Sequence, residues 1–156
     1  MKILLIQPAK PAKALGGEDF SVFEPLALEY LAAGVAADHD VRILDMRLDR
    51  DLEAILRNYQ PEVVSITYYT VHVNTVKGLF LKIKAHNAAI VTVVDGHHAT
   101  VLPADFSTPF IDVIIVGEGV FPFREVIRRL EKNQELSGIP GAVTLENGAM
   151  LLSQED

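Results

Sequence analysis

IVTVVDGHHAT, residues 90–100, sets a nearly continuous apolar run against an aspartate, a glycine and two adjacent histidines. Such a run suits a parallel strand covered on both faces, because a half-exposed strand alternates apolar with polar residues. Four further runs share the pattern: Lys2 to Ile6, Val41 to Asp45, Glu62 to Thr67 and Asp112 to Val116. Together with Ile90 to Val94 they are the strand candidates, and helix-length segments lie between them.

The first of these segments, about Pro25 to Ala36, carries Leu26, Leu28, Tyr30, Leu31 and Val35 at mostly three-to-four spacing and is expected to pack that face on the sheet. Leu52 to Tyr59 follows Asp49 and Asp51, either of which suits a helix N-cap, and Pro61 ends it. Val73 to His86 has Val76, Leu79, Phe80 and Ile83 as its apolar stripe, with Lys77, Lys82 and Lys84 read as a solvated face. After residue 96, Pro103 and Pro109 limit any helix to a short one. A sturdier helix is expected at about Pro122 to Lys132, with Val126, Ile127 and Leu130 inward. Asn147-Gly148 between two short strand-like runs is a two-residue hairpin signal. This alternation predicts an α/β fold, a flavodoxin-like three-layer sandwich with a five-stranded parallel sheet in the order 2-1-3-4-5 and right-handed crossovers, followed by a C-terminal hairpin.

The 156 residues suffice for one domain. With 14 Lys+Arg against 21 Asp+Glu the formal charge is -7, which argues against a nucleic-acid partner, since phosphate binding needs clustered cations. There is no cysteine, so this chain offers neither a disulfide nor thiolates for zinc or an iron-sulfur cluster. The apolar run at Lys2 to Ile6 is too short for a secretory signal core, and no run reaches the roughly 18 apolar residues of a membrane span; a soluble, cytoplasmic protein is expected, with no membrane partner.

In such sheets ligands bind beyond the carboxyl ends of the strands, where the order reverses. The loop from Gln7-Pro8 to Pro25 is about eighteen residues long, well above the usual length of about 2 to 6. Its Gly16-Gly17 belongs to neither a GxGxxG nor a GxxxxGK[ST] pattern. The third strand ends in hydroxyls, Ser65, Thr67, Tyr68, Tyr69 and Thr70, which either contact a ligand or cap and pack locally. Asp95, His97 and His98 are poorly arranged for a metal, because adjacent side chains diverge; a turn whose imidazoles bond backbone is the better reading. Gly96, and then Gly117 and Gly119 around Glu118, let the main chain approach a bulky, elongated group.

These residues resemble the amino-terminal cobalamin-binding domain of cobalamin-dependent radical S-adenosylmethionine proteins, of the methyltransferase or anaerobic magnesium-protoporphyrin monomethyl ester cyclase type. The resemblance runs through EPLALEYLAAGV, VRILDMRLD, VVSITYYT, VVDGHHAT and IDVIIVGEG, roughly residues 1–132. The family's Gly-Gly-x-His-x-Thr pattern falls on Asp95, Gly96, His97, His98, Ala99 and Thr100, with Asp95 in place of the first glycine. The resemblance implies that Gly96, Gly117 and Gly119 line the cofactor's nucleotide tail, that Thr67 bonds near its dimethylbenzimidazole, and that Tyr69, Thr70 and Val71 approach the lower corrin face. Pro8, Asp95, His97, His98 and Glu118 join them at the cofactor. Asp95 then either narrows the tail's slot or adds a carboxylate to it.

Many cobalamin proteins carry Asp-x-His-x-x-Gly after the first strand, whose histidine ligates cobalt; the loop here has no histidine, which implies a base-off cofactor without that ligand. His72 reads as an exposed imidazole at a helix start. The family's S-adenosylmethionine and Cys-x-x-x-Cys-x-x-Cys iron-sulfur cluster belong to a further catalytic domain, so residues 1–137 are read as the cobalamin-binding domain and 138–156 as a hairpin or linker toward that partner domain. Gln7-Pro8 and Thr67 stand where a phosphate receiver needs acids, and a flavodoxin's phosphate loop is missing. A degenerate flavodoxin-like domain that serves in protein interaction is the alternative.

Overall fold

The computed structural model describes residues 1–9, 24–68, 73–146 and 149–152. Gly16-Gly17, Tyr69, Thr70, Val71, His72 and Asn147-Gly148 lie outside the described residues.

Five parallel strands, β1 (Lys2–Gln7), β2 (Asp40–Asp45), β3 (Val63–Thr67), β4 (Val91–Asp95) and β5 (Val113–Ile115), are followed by an antiparallel hairpin, β6 (Ala142–Glu146) and β7 (Ala149–Leu152). All lie in one sheet of order β2-β1-β3-β4-β5-β6-β7. The expected 2-1-3-4-5 order with its C-terminal hairpin is thus the observed one, and β6 extends the sheet by pairing Ala142 to Thr144 with Ile115 to Val113.

The central strands are apolar on both faces because each face carries a helical layer. In β1, Ile3 to Ile6 are all fully buried: Leu4 and Ile6 point into one cluster, Ile3 and Leu5 into the other. The first cluster packs α2 (Leu52–Tyr59), α3 (Val73–His86) and the short α4 (His97–Val101); the second packs α1 (Leu26–Val35) and α5 (Val120–Glu131). Burying a Leu, Ile or Val side chain is worth about 1.5–3 kcal/mol, so these two layers supply most of the driving force.

The local signals act as their chemistry requires. Asp51 caps α2, accepting from the Ala54 N–H at 2.8 Å, while Asp49 accepts from the Asp51 N–H at 3.0 Å. The stripe Val76, Leu79, Phe80 and Ile83 is buried as expected. Helix α5 begins at Val120, two residues before Pro122, which a first turn tolerates because its N–H there would have no helical partner.

Two expectations need correction. Leu26 and Tyr30 do not face the sheet: they are 57% and 61% exposed, and α1 packs through Leu28, Leu31 and Val35. Lys84 is not part of a solvated face. Its ammonium donates to the Ile90 carbonyl at 2.7 Å and meets Asp112 at 2.6 Å, and Asp112 in turn accepts from the Thr92 N–H at 2.7 Å. The long lysine stem ties the end of α3 to the entry of β4 and β5. Lys84→Ala is expected to lower stability by about 1–3 kcal/mol in urea unfolding, because Asp112 loses a charged partner. Lys82→Ala, on the exposed side of the same helix, is expected to cost under about 0.5 kcal/mol.

Candidate functional site at the carboxyl ends of the strands

Thr67 and Asp95 end β3 and β4 and are direct neighbours in the parallel ladder. Strand alternation turns both toward the α1 and α5 layer, where they are 8% and 5% exposed. The Thr67 hydroxyl donates to Asp95 Oδ1. The other carboxylate oxygen faces the start of α5: a Cβ on Gly119 would lie 3.3 Å from Asp95 Oδ2 and 3.4 Å from Leu31 Cδ2. Burial pushes the Asp95 carboxyl up from 3.8 to about 6; the Thr67 hydrogen bond opposes the shift and repulsion from Glu118 adds to it.

The next residue turns the chain. Gly96 has φ 110°, and a Cβ there would fall 2.5 Å from the Tyr68 carbonyl oxygen and 2.7 Å from its nitrogen. Only glycine lets the β4 turn lie this close to the end of β3. His97 is exposed, whereas His98 is turned to the opposite face of the sheet from Asp95. Its Nε2 lies 2.8 Å from Asp105 Oδ2, and its ring packs edge-on to Phe106 at 5.7 Å and tilted against Tyr68 at 6.2 Å. The two imidazoles diverge, but His98 meets the Asp105 carboxylate rather than the backbone partner expected for it; among the described residues no group of three or more His, Cys, Asp or Glu is placed to hold a metal.

Thr100 joins the two glycine turns. Its hydroxyl donates to the Gly96 carbonyl at 3.1 Å and accepts the Gly117 N–H at 3.0 Å. Gly117 has φ 83° with nothing within 4 Å of a would-be Cβ, so its outer face is open; Glu118 is exposed beside it. Pro8 is buried just after β1. The structure therefore gathers Thr67, Asp95, Gly96, Gly117 and Gly119 along one edge, with His97 and Glu118 exposed above it and His98 committed elsewhere.

Sequence reasoning missed two features at the carboxyl ends of the strands. Thr100 was seen only as a pattern position, not as the bridge between turns. Asp45, at the end of β2, accepts three hydrogen bonds from Arg47, two from the guanidinium at 2.8 and 2.7 Å and one from the backbone N–H at 3.0 Å, and the guanidinium holds its carboxyl below the usual range. Asp-x-Arg at a strand end is the signal that would have flagged it.

A family model described as the B12 binding domain matches residues 12–127. The chain belongs to the B12-binding domain family. An uncharacterized methyltransferase of Pyrococcus horikoshii is 33% identical over 154 residues, 95% of this B12-binding domain and 33% of that protein. The solved structure of the radical S-adenosylmethionine methyltransferase TsrM of Kitasatospora setae, with cobalamin and a [4Fe-4S] cluster bound, shares the fold at TM-score 0.76 and 19% identity, over 96% of this chain and 30% of that one. A Janthinobacterium protein named crossover junction endodeoxyribonuclease RuvC is 31% identical over 146 residues, 90% of this chain and 76% of that protein. The domain thus spans about a third of the Pyrococcus methyltransferase and of TsrM.

The glycine turns differ in what they tolerate. Any side chain at Gly96 meets the Tyr68 main chain. Gly96→Ala is expected to cost at least about 3 kcal/mol of stability by urea unfolding, whereas Gly117→Ala meets only the positive-φ strain of about 1–2 kcal/mol. Equal losses would contradict this geometry. Asp95 also makes folding pH-dependent: its folded carboxyl binds a proton more tightly than the unfolded one, so stability declines as pH rises from about 4 through 6. Asp95→Asn is expected to remove that part of the decline in urea midpoints measured at pH 4.5 and 7.

Proposed function

We propose that this domain holds cobalamin in base-off form, without a histidine on cobalt, as the cofactor-binding part of a longer radical S-adenosylmethionine protein of methyltransferase or cyclase type. The observation that carries the reading is the pair of glycine turns joined through Thr100, which present main chain rather than side chains at the edge where a ligand of this fold is expected. The residues fit a large group there: the face of Gly117 is open, and the Thr67 hydroxyl with its Asp95 partner forms a polar inner wall. Bound cobalamin supplies cobalt chemistry such as carrying a methyl group.

The chain's own residues bind and orient. Gly96, Gly117 and Gly119 line the tail, Thr67 and Asp95 meet its inner end, and Pro8, His97 and Glu118 border the rim. The absence of histidine from Gln7 to Pro25 and the engagement of His98 by Asp105 support cobalt without histidine. Tyr69, Thr70 and Val71 are assigned to the lower corrin face on the family resemblance alone. Residues 138–156 lead toward the catalytic domain, where S-adenosylmethionine and the iron-sulfur cluster belong. A nuclease function is not favoured: DNA is a polyanion, and a formal charge of -7 opposes it. Among the described residues no helix is long and apolar enough to cross a membrane, and a cytoplasmic location is part of the proposal.

A second reading, a domain that keeps the fold without cofactor and serves in protein interaction, draws on Asp95, which occupies the Thr67 hydroxyl. Titrating the purified chain with methylcobalamin separates the two. Saturable binding with a base-off corrin spectrum, weakened at least tenfold in a folded Gly117→Val, is the expected result, and the bound spectrum of His97→Ala should show the same cobalt ligation as the parent. No saturable binding would favour the second reading.

A further inference from the structure

Asp95 is buried, and no cation among the described residues accompanies it. Its Oδ1 takes the Thr67 hydroxyl from β3, and its Oδ2 and Leu31 of α1 both border the space where a side chain on Gly119 would lie. The charged group felt from the β5–α5 turn is Glu118, another acid, and His98 from its own loop turns to Asp105 on the far face. Among the described residues no arginine, lysine or histidine pairs with it. A carboxylate in such a place is tolerated while water still reaches it, but covering it costs several kcal/mol unless it is paired or neutralised.

The site described above requires that covering. A cofactor that reaches Thr67 must cover what remains exposed of Asp95 and take over a hydroxyl that the carboxylate now holds. We propose that Asp95 is the affinity-determining residue of the cofactor site and that cobalamin binding takes up one proton onto its carboxyl. Neutral, the carboxyl donates a hydrogen bond to an acceptor on the cofactor's tail and frees the Thr67 hydroxyl; ionised, it retains that hydroxyl and resists being covered. The proton comes from solvent and returns to it on release. The raised carboxyl agrees with this role, since the group is already poised to protonate near pH 6 before anything covers it. The inference rests on the cobalamin reading, and goes beyond it by assigning a function to the residue in which this chain departs from its family's glycine.

The test measures the dissociation constant of methylcobalamin, in the dark, from pH 5.5 to 8 for the full chain, Asp95→Asn and Asp95→Gly, with circular dichroism confirming the fold at each pH. The parent is expected to bind tightest at the acid end and to weaken by up to about tenfold per pH unit above the carboxyl's titration, as uptake of one proton requires. Asp95→Asn, neutral at every pH and able to donate, is expected to match the parent's acid-end affinity with a flat profile. Asp95→Gly, which restores the family's residue, should also be flat and serves if the Asn variant does not fold. A flat profile for the parent, or an equal slope in the variants, overturns the proton linkage while leaving cobalamin binding intact. Binding by Asp95→Gly alone means the carboxylate simply blocks the site and overturns the linkage too. Absence of binding in all three at every pH removes the cobalamin reading and this inference with it.

Discussion

The close approach of Gly96 to the main chain of Tyr68 is the contact on which the ligand edge depends. A β-carbon at Gly96 would overlap the Tyr68 carbonyl, so the turn after β4 can lie against the end of β3 only with glycine in this position. From there the order propagates by hydrogen bonds. The Gly96 carbonyl receives Thr100, and Thr100 receives the amide of Gly117, so the turns after β4 and β5 are tied together. Among the described residues, the ends of β4 and β5 thereby present a strip of backbone at Gly96 and Gly117.

The same contact sorts the neighbouring side chains. Asp95, just before the glycine, is turned inward beside Thr67; His98, two residues after it, is sent to the other face, where Phe106, Tyr68 and Asp105 hold it. A short sequence rich in titratable groups is therefore divided by the sheet: one acid on the face of α1 and α5, one imidazole in the packing of α4. The exposed His97 lies between them.

Much of this was legible in the sequence because it depends on local pattern. Continuous apolar runs located all five parallel strands, the proline positions limited α4, and the stripe of α3 was read residue for residue. What escaped depends on partners far along the chain. Lys84 looks like a surface lysine until Asp112, 28 residues later, is brought beneath it. Leu26 and Tyr30 have helical spacing, yet α1 meets the sheet along Leu28, Leu31 and Val35, a choice set by how the helix is rotated. Gly96 was read as space for a ligand, while its first constraint is the backbone of the adjacent strand. In the candidate site the residue types were visible, but which of them share a face followed only from strand register and the Thr100 bridge.

The central claim, that the glycine turns after β4 and β5 carry the cofactor, is tested most directly by hydrogen–deuterium exchange with and without methylcobalamin. Bound cofactor should slow exchange in segments 96–101 and 117–120. The cleft at the opposite end of β5, lined by Thr108, Asp112, Glu135 and Thr144, should be unaffected. Protection of that cleft with unchanged exchange at the glycine turns would contradict the account.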